Sequence, residues 1–123
     1  MSAANIHFFF LLQTQLKLYH WQTHSYARHV ATDKILEELL EHIDKYVEVY
    51  SGKYGRSKLS KDQGTIMTHN MTEAGIVKFV KAAIRYLETG LTKGLKPSDT
   101  DLFNIRDEMI GELHQLLYLY TLK

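Results

Sequence analysis

Between Leu18 and Tyr50 the chain gathers four histidines, two aspartates, four glutamates and its one tryptophan. Two pairs stand out by spacing: His29 with Asp33, and Asp44 with Glu48, each four residues apart. On a helix, side chains four apart share a face and can grip one ion between them. At about 100° per residue, with His29 as zero, Asp33 falls near 40°, Asp44 near 60° and Glu48 near 100°, so all four occupy one face. The two pairs cannot serve one ion within a chain, because His29 and Asp44 are about 22 Å apart along the axis, and Asp33 and Asp44 about 16 Å. Each pair is half a site. Two copies packed antiparallel about a two-fold axis would bring the His-Asp half of one to the Asp-Glu half of the other, making two equivalent sites. Mixed imidazole and carboxylate ligation suits iron(II), manganese(II) or zinc better than magnesium or calcium, which prefer all-oxygen shells. A solvated acidic face is the competing reading, since any acidic amphipathic helix carries such pairs. Glu37 and Glu41 fall near the same face without joining either pair, and Glu38 and His42 point away from it, toward solvent.

The elements that must position these groups are legible from apolar spacing. Phe9, Leu12, Leu16 and Tyr19 predict a first helix over about residues 2–22. The apolar run from Phe8 to Leu12 wraps past a single stripe, which favours burial of more than one face and hence assembly. Ser25 can cap a second helix over Tyr26 to Ser51, with Ile35, Leu36, Leu39, Ile43 and Val47 as its apolar sector and Gly52 as its end. Residues 52–71, with three glycines and many polar residues, read as a long connection. Thr72 can cap a third helix that ends at Gly90 and Gly94; Pro97, then Ser98 with Asp101, predicts a capping-box entry to a fourth. Short first and last connections with a long middle one describe an all-α, ferritin-like four-helix bundle with a long crossover, one domain over residues 1–123.

Composition removes other chemistries. There is no cysteine, so disulfides, thiolate metal sites and a cysteine nucleophile are excluded, and any metal must rest on His, Asp and Glu. The apolar run at Phe8 is too short to span a bilayer and lacks a basic flank, so no membrane and no signal peptide are expected, and the location expected is cytoplasmic. A formal net charge of +1 gives no global pull on nucleic acid; Lys53, Arg56, Lys58 and Lys61 form the one basic stretch, read as a solvated loop or a phosphate contact. Met1 to Asn5 carries no lysine or arginine that could bind DNA. The first helix has no acid and no glutamate is followed by histidine three residues on, so a di-iron site within one chain is not expected.

His20 and Trp21 end the first helix, and His29, Asp33, Asp44 and Glu48 follow at the spacings above. This pattern resembles the mini-ferritins, the DNA-binding proteins from starved cells (Dps), and the chain also resembles short ferritin-like proteins of large DNA viruses. The resemblance implies an iron-storing, iron-detoxifying homo-oligomer, a hollow dodecameric shell with a ferroxidase centre at each two-fold interface. His20, His29 and Asp33 would come from one subunit and Asp44 and Glu48 from its partner, with Trp21 an electron donor that limits radical escape or else a core residue. A viral source would imply host cytoplasm or virion. The alternatives are a nonenzymatic helical assembly with a structural or vestigial metal site, zinc included, and a DNA-binding shell. Of the remaining histidines, His24 is a possible secondary ligand, while His7, His69 and His114 read as packed, loop or surface residues. Asp107, Glu108 and Glu112 would line an ion pore or form a solvated acidic face.

Overall fold

Local capping chemistry starts two of the helices where the sequence places them. The computed structural model describes residues 1–123 and contains four α-helices: α1 (Ala3–Gln22), α2 (Tyr26–Tyr54), α3 (Glu73–Thr89) and α4 (Thr100–Leu119), with one 3-10 turn at Asp62–Gly64. Ser25 Oγ accepts from Arg28 N at 3.2 Å and Thr72 Oγ1 from Gly75 N at 2.9 Å, each satisfying an amide that its helix leaves unpaired.

Two expected boundaries move. Gly52 does not end α2, which runs on to Tyr54 and stops where Gly55 turns to φ 94°, a left-handed conformation that favours glycine. Lys53 therefore belongs to the helix and not to a solvated basic loop, and its Nζ lies 2.7 Å from both Asp99 and Asp101. Ser98 does not cap α4. Asp99 is the N-cap residue and makes no capping bond, because its carboxylate is taken by Lys53, by the Tyr54 hydroxyl (2.6 and 2.7 Å) and by the Lys96 amide (2.8 Å). These donors, Lys53 foremost, hold the Asp99 carboxyl down to about 2.

Contacts at the helix ends fix the directions. Phe9 meets Tyr46 while His20 meets His29, so α1 and α2 are antiparallel. Lys53 reaches Asp101, His42 reaches Glu112 and Thr32 reaches Tyr120, so α2 and α4 are antiparallel. Thr23 bonds Glu73 at one end, and Phe8 stacks on Tyr86 at 4.2 Å near the other, so α1 and α3 are antiparallel as well. The segment from Gly55 to Thr72 therefore travels back along α1. Its backbone needs partners that helices would otherwise supply. His7 Nε2 donates to Thr65 O (3.1 Å), and Gln15, only 1% exposed, clamps His69 by donating to its carbonyl (2.6 Å) and accepting from its amide (3.0 Å).

Between the helices, 22 buried apolar residues form a single cluster, with Leu12, Leu16, Ile35, Leu39, Ile76, Val80, Met109 and Leu113 at its centre. Three tyrosines share it. Tyr120 is hydrogen-bonded to Thr32 at 2.7 Å, whereas the Tyr46 hydroxyl has no partner and burial pushes its ionisation up to about 12. No helix is long and apolar enough to cross a membrane.

Candidate metal centre

The close of α1 and the opening of α2 bring two imidazoles face to face. Thr23 N returns to Tyr19 O to finish α1, Ser25 caps α2, and the tight turn between them leaves the His20 and His29 rings stacked, centroids 3.9 Å apart and 12° from parallel. Each ring bonds the other residue's backbone: His20 Nδ1 to His29 O and His29 Nδ1 to His20 O, both at 2.7 Å. A carbonyl oxygen only accepts, so each Nδ1 carries the hydrogen, and in the neutral ring the lone pair then sits on Nε2. A backbone carbonyl on Nδ1 in this way fixes the tautomer and the ring orientation that metal-binding histidines use. His20 is 8% exposed, and its Nε2 lies 3.8 Å from Asp33 Oδ1. The same carboxylate oxygen is 3.4 Å from Lys17 Nζ. His20, His29 and Asp33 are thus brought to one place.

Asp44 and Glu48 lie elsewhere, one turn apart on the exposed face of α2. They edge a groove of about 210 Å³ whose other wall is Ile6, Phe10 and Gln13 of α1, and they meet Glu41 and Lys45 in a shallower depression on their far side. About 22 Å of helix separates His29 from Asp44. No three His, Asp or Glu side chains of one chain converge closely enough to hold an ion as they stand.

The stripe of α2 that carries both pairs also carries apolar side chains with nothing over them. Tyr26 is 80% exposed, Val30 46% and Leu40 38%, and Phe10 beside the Asp44 pair is 44% exposed. His29 with Glu48, and Asp33 with Asp44, lie symmetrically about one point of α2, midway between Glu38 and Leu39, so Glu37 and Leu40 are the stripe residues nearest that centre.

Residues 20–120 match DUF5856, a family of unknown function. The chain belongs to the DUF5856 family. The matched segment begins at His20 and takes in all of α2, α3 and α4, so it contains both ligand pairs. No curated protein and no solved structure matches this DUF5856 chain.

Several expectations for single residues are corrected. Trp21 is not a core residue: it is exposed, with Lys17 Nζ 5.9 Å from its ring centroid, because α1 ends with that face turned outward. Glu112 is not part of a solvated face. It is buried against α2, where His42 Nδ1 lies 2.5 Å from its Oε1, so His42 does not point into solvent either. A helical wheel of α2 alone places His42 away from the ligand stripe; it does not show that α4 waits on that side. His24 and His114 are exposed, and His7 and His69 serve the returning segment.

Proposed function

We propose that this DUF5856 protein binds iron(II) at a site shared by two copies of α2 and oxidises it, storing the product as iron(III) oxide in the manner of a Dps-like mini-ferritin, a ferritin-like four-helix bundle. The observation that carries this reading is the His20–His29 stack, which leaves both Nε2 lone pairs uncommitted, that of His20 3.8 Å from Asp33. One chain offers three candidate ligands near one end of α2 and two more a half-helix away, and neither set converges on an ion alone. An antiparallel two-fold about the centre of α2 places Glu48 of one copy opposite His29 of the other, and Asp44 opposite Asp33. The uncovered apolar residues interleaved with the ligands, Val30 and Leu40 among them, give that pairing a hydrophobic contribution.

Iron(II) is the substrate, and peroxide or dioxygen accepts its electrons. The chain's own work is to hold the imidazoles rigid through their backbone bonds, to supply the carboxylates that favour the more highly charged product, and to keep Lys17 as a counter-charge to Asp33 before iron arrives. Trp21, outside the core and next to His20, would donate an electron to an oxygen radical formed from the peroxide or dioxygen before that radical diffuses away. Zinc or manganese could use the same donors. The Lys17–Asp33 pair favours one other reading: a helical assembly in which the ammonium neutralises the site and no redox chemistry follows.

The double variant Asp44→Asn/Glu48→Gln separates the two. Both residues are exposed, so the fold is unaffected by circular dichroism, while the initial rate of iron(II) oxidation, read as oxygen or peroxide consumption, falls by about 100-fold or more. An unchanged rate eliminates the shared site.

A further inference from the structure

The seam between α2 and α4 holds a second set of metal-ligating groups, on the side of α2 turned away from the His29–Asp33 stripe. His42 Nδ1 lies 2.5 Å from Glu112 Oε1 and 3.1 Å from Glu38 O. Glu112 is 8% exposed, and its second oxygen, Oε2, is buried with no hydrogen-bond partner at all. A buried carboxylate oxygen in that position calls for a proton or a cation. Glu38 precedes His42 by one helical turn on α2, and Glu108 precedes Glu112 by one turn on α4. Because the helices are antiparallel, these two acids bracket the pair from opposite ends. Neither makes an ion pair with lysine or arginine, and Glu112 has His42 as its only charged partner. Burial, with Glu38 and Glu108 adding and His42 opposing, lifts the Glu112 carboxyl to about 7.

We propose that this seam is a second divalent-cation site, of the zinc or manganese class, with His42 and Glu112 as its first ligands and Glu38 or Glu108 closing on the ion. One imidazole among carboxylates is the donor set these ions accept. Two ligands already in contact fall short of the three that hold an ion unaided, and the proposal takes the third from a glutamate one turn away, half-buried Glu38 or exposed Glu108, after a change of rotamer. The ion takes the place of the hydrogen now held between Nδ1 and Oε1, which leaves to water, and Glu112 Oε2 acquires the partner it lacks. The site lies within one chain and does not depend on the shared iron site.

The test is calorimetric titration of the metal-free full chain with zinc alone, in a background carrying His29→Ala, Asp44→Asn and Glu48→Gln. About one zinc per chain binds in this background, with proton release visible as a dependence of the heat on the buffer. Adding Glu112→Gln, or Glu38→Gln together with Glu108→Gln, weakens that binding by about tenfold or more. The second pair keeps the test decisive if Glu112→Gln disturbs folding, since Glu38 and Glu108 are not core residues. No zinc in the background protein, or zinc that binds as tightly to both variants, overturns the proposal.

Discussion

The two long sides of α2 treat polar groups in opposite ways. Toward α4 most have a partner inside the chain: Arg28 reaches Tyr120 O, Thr32 the Tyr120 hydroxyl, His42 Glu112, and Lys53 both Asp99 and Asp101. Along the outer stripe, His29 keeps Nε2 uncommitted, Asp33 has the partly exposed Lys17 and the longer contact to His20 Nε2, and Asp44 and Glu48 have no ion-pair partner. The inner side is a seam that folding has largely satisfied, its buried exceptions being Glu112 Oε2 and the Tyr46 hydroxyl. The outer side keeps ligating atoms and apolar surface together without covering either. Polar groups satisfied within the chain stabilise it; those left aligned beside bare Val30 and Leu40 are the ones the proposed two-fold pairing would use.

Neighbouring leucines put that contrast to its strongest test. Leu40 stands on the open stripe and Leu39, at 0% exposure, in the core. On the proposed pairing, replacing Leu40 with Asp abolishes the two-fold assembly and with it iron oxidation, while the thermal midpoint of the chain barely moves; native mass measurement with a melting curve checks both. Leu39→Ala does the reverse, lowering stability by about 2–5 kcal/mol through the cavity it leaves, with the assembly retained under conditions where the chain stays folded. If both variants behaved alike, the two sides of α2 would not differ in kind.

Thr32→Val sharpens the inner half of the comparison. It strands the Tyr120 hydroxyl, whose own ionisation burial already pushes up, and costs about 1–3 kcal/mol in denaturant unfolding with no change in iron oxidation.

The smallest effect is on pH dependence, and its sign follows from two acids displaced in opposite directions. Glu112 binds its proton near pH 7 in the folded chain and near the ordinary 4.5 when unfolded, so the folded state holds the extra proton between those values and stability falls as pH rises through that window. Asp99 is depressed from 3.8 to about 2, so the stability it contributes is complete above 3.8 and is lost as pH falls toward 2. Melting curves from pH 3 to 8 should show Glu112→Gln flattening the decline above pH 4.5 and leaving the acid limb unchanged.

The helices themselves were legible in the sequence because each rests on a local signal: apolar spacing, Ser25 and Thr72 as caps, and glycines near the ends. The errors arose where a distant partner decided. Gly52 sits inside α2 with open space around it, and only the backbone turn at Gly55 ends the helix. Ser98 and Asp101 have capping-box spacing, but the neighbouring Asp99 is claimed by side chains from the end of α2, which no local pattern reveals. The same division holds for the candidate site. Spacing alone put His29, Asp33, Asp44 and Glu48 on one stripe of α2. The crossed bonds between His20 and His29 depend on how tightly residues 23–25 turn, and the His42–Glu112 contact on which helix lies across the seam, so neither could be read from one helix at a time.

The claim that two chains each lend half of a site is tested most directly by mixing two inactive variants. One carries His29→Ala and Asp33→Asn, the other Asp44→Asn and Glu48→Gln. A mixed pair contains one site with both halves intact and one with neither, so after dissociation and random reassociation at equal amounts about a quarter of the wild-type oxidation rate returns. Mixed oligomers verified by mass that remain as inactive as either parent would contradict the shared site.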